Sequence, residues 1–240
     1  MKRRLLILII SIFVFAWTSA SQAEEIGSRT DIYVLVDLSA TWFNQGRIND
    51  IKNTLGEINK AVVNLGTRSE KPVLIYYLPI TDSSMVQNLL CQGKYQPALI
   101  NRRGGNTIGS KSELEKRLDL CRDHILNQNP AAFTDISGSI DLAVQISRSS
   151  TDKKKYMIIA SDLKEESRKG AVLPTLNVDK FKIALVYRIL PEDSLNLDIK
   201  QRLSFWTQKL VKAKAVKVVS IIDKGNVGDN IVTELLSNGN

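Results

Sequence analysis

The chain has little histidine and no concentrated basic stretch, and each lack excludes a class of function. His124 is the single histidine, so a Ser-His-Asp catalytic triad has little support. The formal net charge is +8, but the basic residues are scattered, and the one compact cluster, Lys153–Lys155, has no interleaved aromatic residues. Proteins that bind nucleic acid usually concentrate such residues in a patch. We therefore expect no nucleic-acid partner.

The sequence also lacks an apolar run long enough to cross a bilayer, which takes about 20 residues. Its longest run, Leu5–Trp17, follows the basic residues Lys2–Arg4 and precedes small residues up to Ala23. This pattern predicts a signal peptide over residues 1–23 that is cleaved after Ala23; the alternative is an uncleaved anchor. Cleavage lowers the formal charge from +8 to +5 by removing three basic residues. Residues 24–240 would then be extracytoplasmic, periplasmic or secreted, without stable membrane insertion.

Cysteine is scarce as well, since Cys91 and Cys121 are the only two. Exported proteins meet an oxidising environment in which disulfides form and persist. The two cysteines are therefore predicted to be joined; the alternative is two free thiols that never meet.

What the sequence does contain is a regular alternation of apolar runs and amphipathic segments, without internal repeats. Predominantly apolar runs predict five strands, at 32–36, 73–78, 156–160, 181–187 and 216–222. Helical spacing of apolar residues predicts helices at 47–65, 111–127, 136–147, 194–211 and 227–237. Continuously apolar strands separated by amphipathic helices indicate a doubly wound, mostly parallel α/β sheet covered on both faces. The length suits a single domain.

One region interrupts this alternation. Residues 91–130 are longer than a simple crossover and contain the turn-forming stretch Arg102–Asn106. We interpret the region as a surface insertion that the disulfide staples at its base, with its helix lying across one edge of the domain.

Polar side chains follow two of the predicted strands. Asp37, Ser39 and Thr41 come after the first strand, and Asp162 ends the strand at 156–160. Thr134 opens the helix that leads into the latter strand. If the first strand lies between the strands at 73–78 and 156–160, where the winding reverses, these residues meet at one carboxyl edge. Two carboxylates and three hydroxyls favour a hard cation, namely Mg²⁺, Mn²⁺ or Ca²⁺, over zinc.

The order Asp-x-Ser-x-Thr, then Thr, then Asp resembles the metal-ion-dependent adhesion site of von Willebrand factor type A and integrin inserted domains. The resemblance extends over residues 30–225 and implies a vWA-like, Rossmann-like fold. It also implies that Ser39, Thr41 and Thr134 bind the metal through hydroxyls, and that Asp37 and Asp162 bind it directly or through water. The chain departs from the family pattern at Thr41, where serine is commoner, and at Leu163, where glycine is usual.

Three further points concern residues around this motif. Thr107 follows a glycine-rich stretch like the one that precedes the family's threonine, but two predicted helices separate it from the strand at 156–160, and Thr134 is preferred. Trp42 and Phe43 follow the first ligand loop and are candidates for a hydrophobic rim that contacts a partner. Glu165 and Glu166 would lie near the rim, either tuning metal affinity or simply in a solvated loop.

These features favour an adhesion or assembly module over an enzyme. The resemblance implies a partner protein that supplies an acidic residue to the metal. The first alternative is a Mg²⁺-dependent phosphatase of the haloacid-dehalogenase type with Asp37 as nucleophile. Such enzymes need a second aspartate two residues later, where this chain has Ser39, which cannot act as the general acid. The other alternative is a metal-free, purely structural vWA domain.

Overall fold

The computed structural model describes residues 29–43, 45–69, 71–97, 111–150, 155–166, 174–188 and 196–237. The predicted signal peptide and the Arg102–Asn106 turn, together with Thr107, lie outside the described residues.

The core of the fold is one six-stranded sheet. Its strands are β1 (Thr30–Asp37), β2 (Val73–Ile80), β3 (Cys91–Tyr95), β4 (Lys155–Ala160), β5 (Phe181–Arg188) and β6 (Lys217–Asp223). They lie in the order β3-β2-β1-β4-β5-β6, and β3 alone runs antiparallel to its neighbour. The predicted position of β1 between β2 and β4 is confirmed.

Five helices cover the two faces of the sheet. They are α1 (Ile48–Thr67), α2 (Lys111–Leu126), α3 (Ile136–Ser147), α4 (Asn196–Lys212) and α5 (Val227–Leu236). Apolar residues of α1, α2 and α5 form one buried cluster with the sheet, and those of α3 and α4 form a second. Among the described residues, none of these helices combines the length and apolarity needed to cross a membrane.

Strand β1 explains why the middle of each central strand is apolar. Val34 and Val36 belong to the cluster under α1, whereas Tyr33 and Leu35 belong to the cluster under α3 and α4. Successive strand residues point to opposite faces, so a strand buried on both faces needs apolar residues at every position. The predicted mostly parallel α/β sheet with helices on both faces is confirmed.

The region after β2 is more deeply integrated than a surface insertion. Its first residues form the edge strand β3, which is not among the predicted strands because the segment is short and mostly polar. Leu114 and Leu118 of α2 are buried in the core. A Cβ on Gly93 would lie 3.3 Å from the Leu118 side chain, so the missing side chain lets α2 pack closely over β3.

The predicted disulfide is present and joins these two elements. Cys91 starts β3 and Cys121 lies on the inner side of α2, with their Cα atoms 5.9 Å apart. The bond closes a loop with a sequence separation of 30.

We expect the Cys91→Ala/Cys121→Ala double variant to lose about 3–4 kcal/mol of unfolding free energy, because the crosslink restricts the unfolded chain. Urea unfolding of the oxidised wild type and the variant measures this loss. Reductant should shift the wild type towards the variant and leave the variant unchanged. A wild-type midpoint that does not respond to full reduction would contradict the expectation.

Candidate functional site

The first loop of the candidate site begins where β1 ends. Asp37 is fully buried, and both of its carboxylate oxygens accept a hydrogen bond. Oδ1 accepts from the Ser39 backbone N–H at 2.8 Å, and Oδ2 accepts from the Ser161 hydroxyl at 2.6 Å. The Ser39 and Thr41 hydroxyl oxygens lie 3.1 Å apart. The turn after β1 therefore collects a carboxylate and two hydroxyls.

The second loop follows β4, which pairs with β1 in parallel register up to Val36 opposite Ala160. Asp162 is fully buried two residues later. Its Oδ1 accepts from the Lys164 backbone N–H at 3.0 Å. Within the described residues, its Oδ2 is buried without any hydrogen-bond partner. An orphaned buried carboxylate oxygen is costly, and a cation would satisfy it.

The third loop, before α3, is hydrogen-bonded to both of the others. The Ala40 N–H donates to the Ala131 carbonyl at 3.0 Å, which ties this loop to the one after β1. Thr134 exchanges backbone hydrogen bonds with Glu166 at 3.0 and 2.9 Å, which ties it to the loop after β4. Thr134 is buried between them.

All five predicted ligands thus lie on three adjoining loops at the carboxyl edge of β1 and β4. Their chemistry is two carboxylates and three hydroxyls, an oxygen-only set that fits a hard divalent cation. Among the described residues, no group of three or more histidine, cysteine, aspartate or glutamate side chains offers an alternative metal centre.

The electrostatics of the two carboxylates favour a cation as well. Burial raises the pKa of Asp37 from 3.8 to about 7, and the neighbouring charge of Asp162 adds to the rise. Burial also raises the pKa of Asp162, opposed by the Lys164 backbone N–H and by the nearby Thr41 hydroxyl. Ionising both groups without a positive charge between them is therefore unfavourable.

Leu163, where the resembling family has glycine, adopts the backbone conformation that glycine favours. Its φ is +59°, in the left-handed region that non-glycine residues seldom enter. Its N–H donates to the Ser161 hydroxyl at 2.8 Å, and its carbonyl accepts from the Trp206 indole N–H at 3.0 Å. Leucine in place of glycine therefore does not prevent the loop from adopting this left-handed backbone conformation.

The predicted rim of Trp42 and Phe43 is wrong, because both side chains are buried at about 1% exposure. The Phe43 N–H donates to the Ser39 carbonyl at 2.7 Å, and this tight turn directs the two rings into the core beneath α1. Phe133, next to Thr134, is an exposed apolar residue. The sequence feature that could have predicted this residue is its position directly before the candidate ligand Thr134.

Comparison with known proteins identifies the fold but no close relative. No protein-family model matches the chain, and no curated protein matches it. A von Willebrand factor type A structure from Catenulispora acidiphila matches with a TM-score of 0.51 and 14% identity, over 87% of this chain and 42% of that one. The pilus adhesin SpaC from Lactobacillus rhamnosus GG, in its open conformation, matches with a TM-score of 0.51 and 9% identity, over 87% and 30%.

The minor pilin PilB from Streptococcus sanguinis matches with a TM-score of 0.50 and 10% identity, over 86% of this chain and 59% of that one. This chain therefore spans between 30% and 59% of the length of the three proteins. At such low identity the likeness establishes a vWA-like α/β fold and nothing finer.

The raised pKa of Asp37 predicts how the stability of metal-free protein depends on pH. Because the folded-state value of about 7 exceeds the ordinary value of 3.8, the folded state binds the proton more tightly than the unfolded state. The contribution of Asp37 is therefore fully present below pH 4 and is lost as the pH rises through 7. The loss is at most about 4 kcal/mol.

Asp37→Asn should remove most of this pH dependence, so that the variant matches the wild type near pH 4 and exceeds it at pH 8. Urea unfolding in chelator across this range provides the measurement. Asp119→Asn, at an exposed position of α2, is the control and should leave the profile nearly unchanged. Parallel profiles for wild type and Asp37→Asn would contradict the expectation.

Proposed function

We propose that this domain recognises a partner protein through a bound divalent cation, as a non-catalytic adhesion or assembly module. The observation that carries the proposal is the buried Oδ2 of Asp162, which has no hydrogen-bond partner among the described residues. It belongs to a site that combines two adjacent buried carboxylates with three hydroxyls. A neutral pocket would not require this donor set, whereas Mg²⁺, Mn²⁺ or Ca²⁺ would satisfy it.

Each residue has a proposed role in holding the cation. Ser39, Thr41 and Thr134 contribute hydroxyl oxygens, and Asp37 and Asp162 contribute carboxylate oxygens directly or through water. With two charged ligands, the cation supplies an electrophilic position for a carboxylate of the partner. Thr41 is exposed, which supports access from solvent to this side of the site.

The setting outside the cytoplasm is part of the same proposal. The disulfide suits an oxidising compartment, and the predicted signal peptide over residues 1–23 provides the export route to the periplasm or beyond. Two proteins with similar folds are named as a pilus adhesin and a minor pilin. Those roles support an adhesive or assembly function for this chain, although each of the two proteins is longer.

The proposal is tested by thermal unfolding with Mg²⁺ and with chelator. A ligand that binds only the folded state stabilises it, by about 2.7 kcal/mol at a hundredfold excess over Kd. Asp162→Asn keeps the size of the side chain but removes a charge, so we expect it to lose most of the Mg²⁺-dependent rise in Tm. The metal-free variant should remain folded, since the amide oxygen can still accept from Lys164.

Thr41→Ser is the matched conservative variant. It keeps the hydroxyl oxygen and restores the commoner family residue, so its response to Mg²⁺ should equal that of the wild type. Mn²⁺ and Ca²⁺ titrations extend the comparison to the other candidate cations. Equal shifts in wild type and Asp162→Asn would place the cation elsewhere and overturn the proposal.

A further inference from the structure

A partly buried ion pair connects the loop that carries Asp162 to the helix that follows Thr134. The Lys209 ammonium on α4 donates to Glu165 Oε2 at 3.0 Å and to the Ser137 hydroxyl at 2.7 Å. Glu165 Oε1 in turn accepts from the Ser137 backbone N–H at 2.8 Å. Glu165 lies three residues after Asp162, and Ser137 lies three residues after Thr134.

The pair is held too tightly to be an ordinary surface salt bridge. The Glu165 side chain is 12% exposed and that of Lys209 is 25% exposed. The Lys209 ammonium also lies 4.3 Å from the Trp206 ring centroid, within the range of a cation–π contact. The Lys209 side chain is therefore held in place by its contacts with Trp206 and Glu165.

The contact with Ser137 places Glu165 at the start of α3. Helix N-termini leave backbone N–H groups without intrahelical partners. Here Asp135 accepts from the Gly138 N–H at 2.7 Å, and Glu165 accepts from that of Ser137. One carboxylate thus comes from the helix's own cap and the other from the loop after β4, so the position of α3 depends on that loop.

Other residues of α4 contact the backbone of the same loop. Arg202 donates to the Asp162 carbonyl at 3.0 Å, and Trp206 donates to the Leu163 carbonyl. Lys209 is one to two turns further along α4 and reaches Ser137 on α3. Helix α4 thereby fixes the backbone at Asp162 and, through Glu165, the helix start next to Thr134.

We infer that Glu165 and Lys209 are positioning residues for the cation site, which set the distance between the Thr134 hydroxyl and the Asp162 carboxylate. The inference rests on the proposed cation site. Neither side chain is assigned as a ligand. Residues that orient metal ligands in this way typically change affinity by 10- to 100-fold when they are replaced.

Because Glu165 and Lys209 carry opposite charges, a positioning role can be distinguished from a purely electrostatic effect on cation binding. If the pair acted only through its field, removing the Glu165 charge would weaken cation binding and removing the Lys209 charge would strengthen it. If the pair positions the ligands, both replacements weaken binding. Lys209→Met is suitable because it keeps an apolar stem against Trp206.

The experiment is calorimetric titration of the full exported chain with Mg²⁺ and with Mn²⁺. We expect Lys209→Met and Glu165→Ala each to raise Kd about tenfold or more. In the double variant the two charge changes cancel, and its Kd should be no higher than that of the single variant with the higher Kd. Glu165→Gln removes the same charge as Glu165→Ala but keeps an acceptor for the Ser137 N–H, so its effect should be smaller.

The matched controls are Glu113→Gln and Arg117→Met, an exposed ion pair on α2 whose replacement changes the net charge identically. They should leave Kd within about twofold. Hydrogen exchange of the Ser137 amide in metal-free protein should quicken in Glu165→Ala, and urea unfolding shows that each variant remains folded.

Tighter binding by Lys209→Met, or an unchanged Kd in both single variants, would overturn the positioning role while leaving the proposed function intact. A wild type that binds neither Mg²⁺ nor Mn²⁺ would overturn both. The two failures are therefore distinguished by the wild-type titration alone.

Discussion

The pairing of β1 with β4 is the constraint on which the site depends. These strands lie side by side at the centre of the sheet, parallel and in register from Asp31 opposite Lys155 to Val36 opposite Ala160. Both end at the same edge, so the residues that follow must be neighbours. Because helices cover both faces of this part of the sheet, the first residues beyond the strands are still buried. The register thus brings Asp37 and Asp162 together in a place with little water.

Burying two carboxylates side by side has a large free-energy cost, and the surrounding loops offset part of it. Asp37 accepts two hydrogen bonds, one of them from Ser161 on the neighbouring strand end. Hydrogen bonds to a carboxylate favour its charged form, yet the raised pKa of Asp37 indicates that burial outweighs them. Among the described groups, Asp162 Oδ2 still has no hydrogen-bond partner, so this pair of carboxylates is one that a bound cation would stabilise.

The sequence carried enough information for five of the six strands and for the candidate site residues. The central strands β1 and β4 are largely apolar because they are buried on both faces, and four of the five candidate site residues lie at or just after the ends of these two strands. Strand β3 escaped prediction because Cys91–Tyr95 is an edge strand with one buried residue. The burial of Trp42 and Phe43 depends on a turn whose direction is decided by tertiary packing. The Lys209–Glu165 contact joins residues 44 positions apart, and no local pattern indicates it.

Leu163 shows how α4 also makes an unusual sequence acceptable at the site. The left-handed backbone conformation costs a non-glycine residue about 1–2 kcal/mol. Burial of a leucine side chain contributes roughly 1.5–3 kcal/mol, and Leu163 is 2% exposed within the cluster that includes Trp206. The hydrogen bond from the Trp206 indole to the Leu163 carbonyl adds to this. Burial therefore outweighs backbone strain, and a glycine here would gain flexibility but lose the anchor. The loop that presents Asp162 is thus held by the buried Leu163 side chain and by hydrogen bonds from α4, so it keeps a left-handed residue without a glycine.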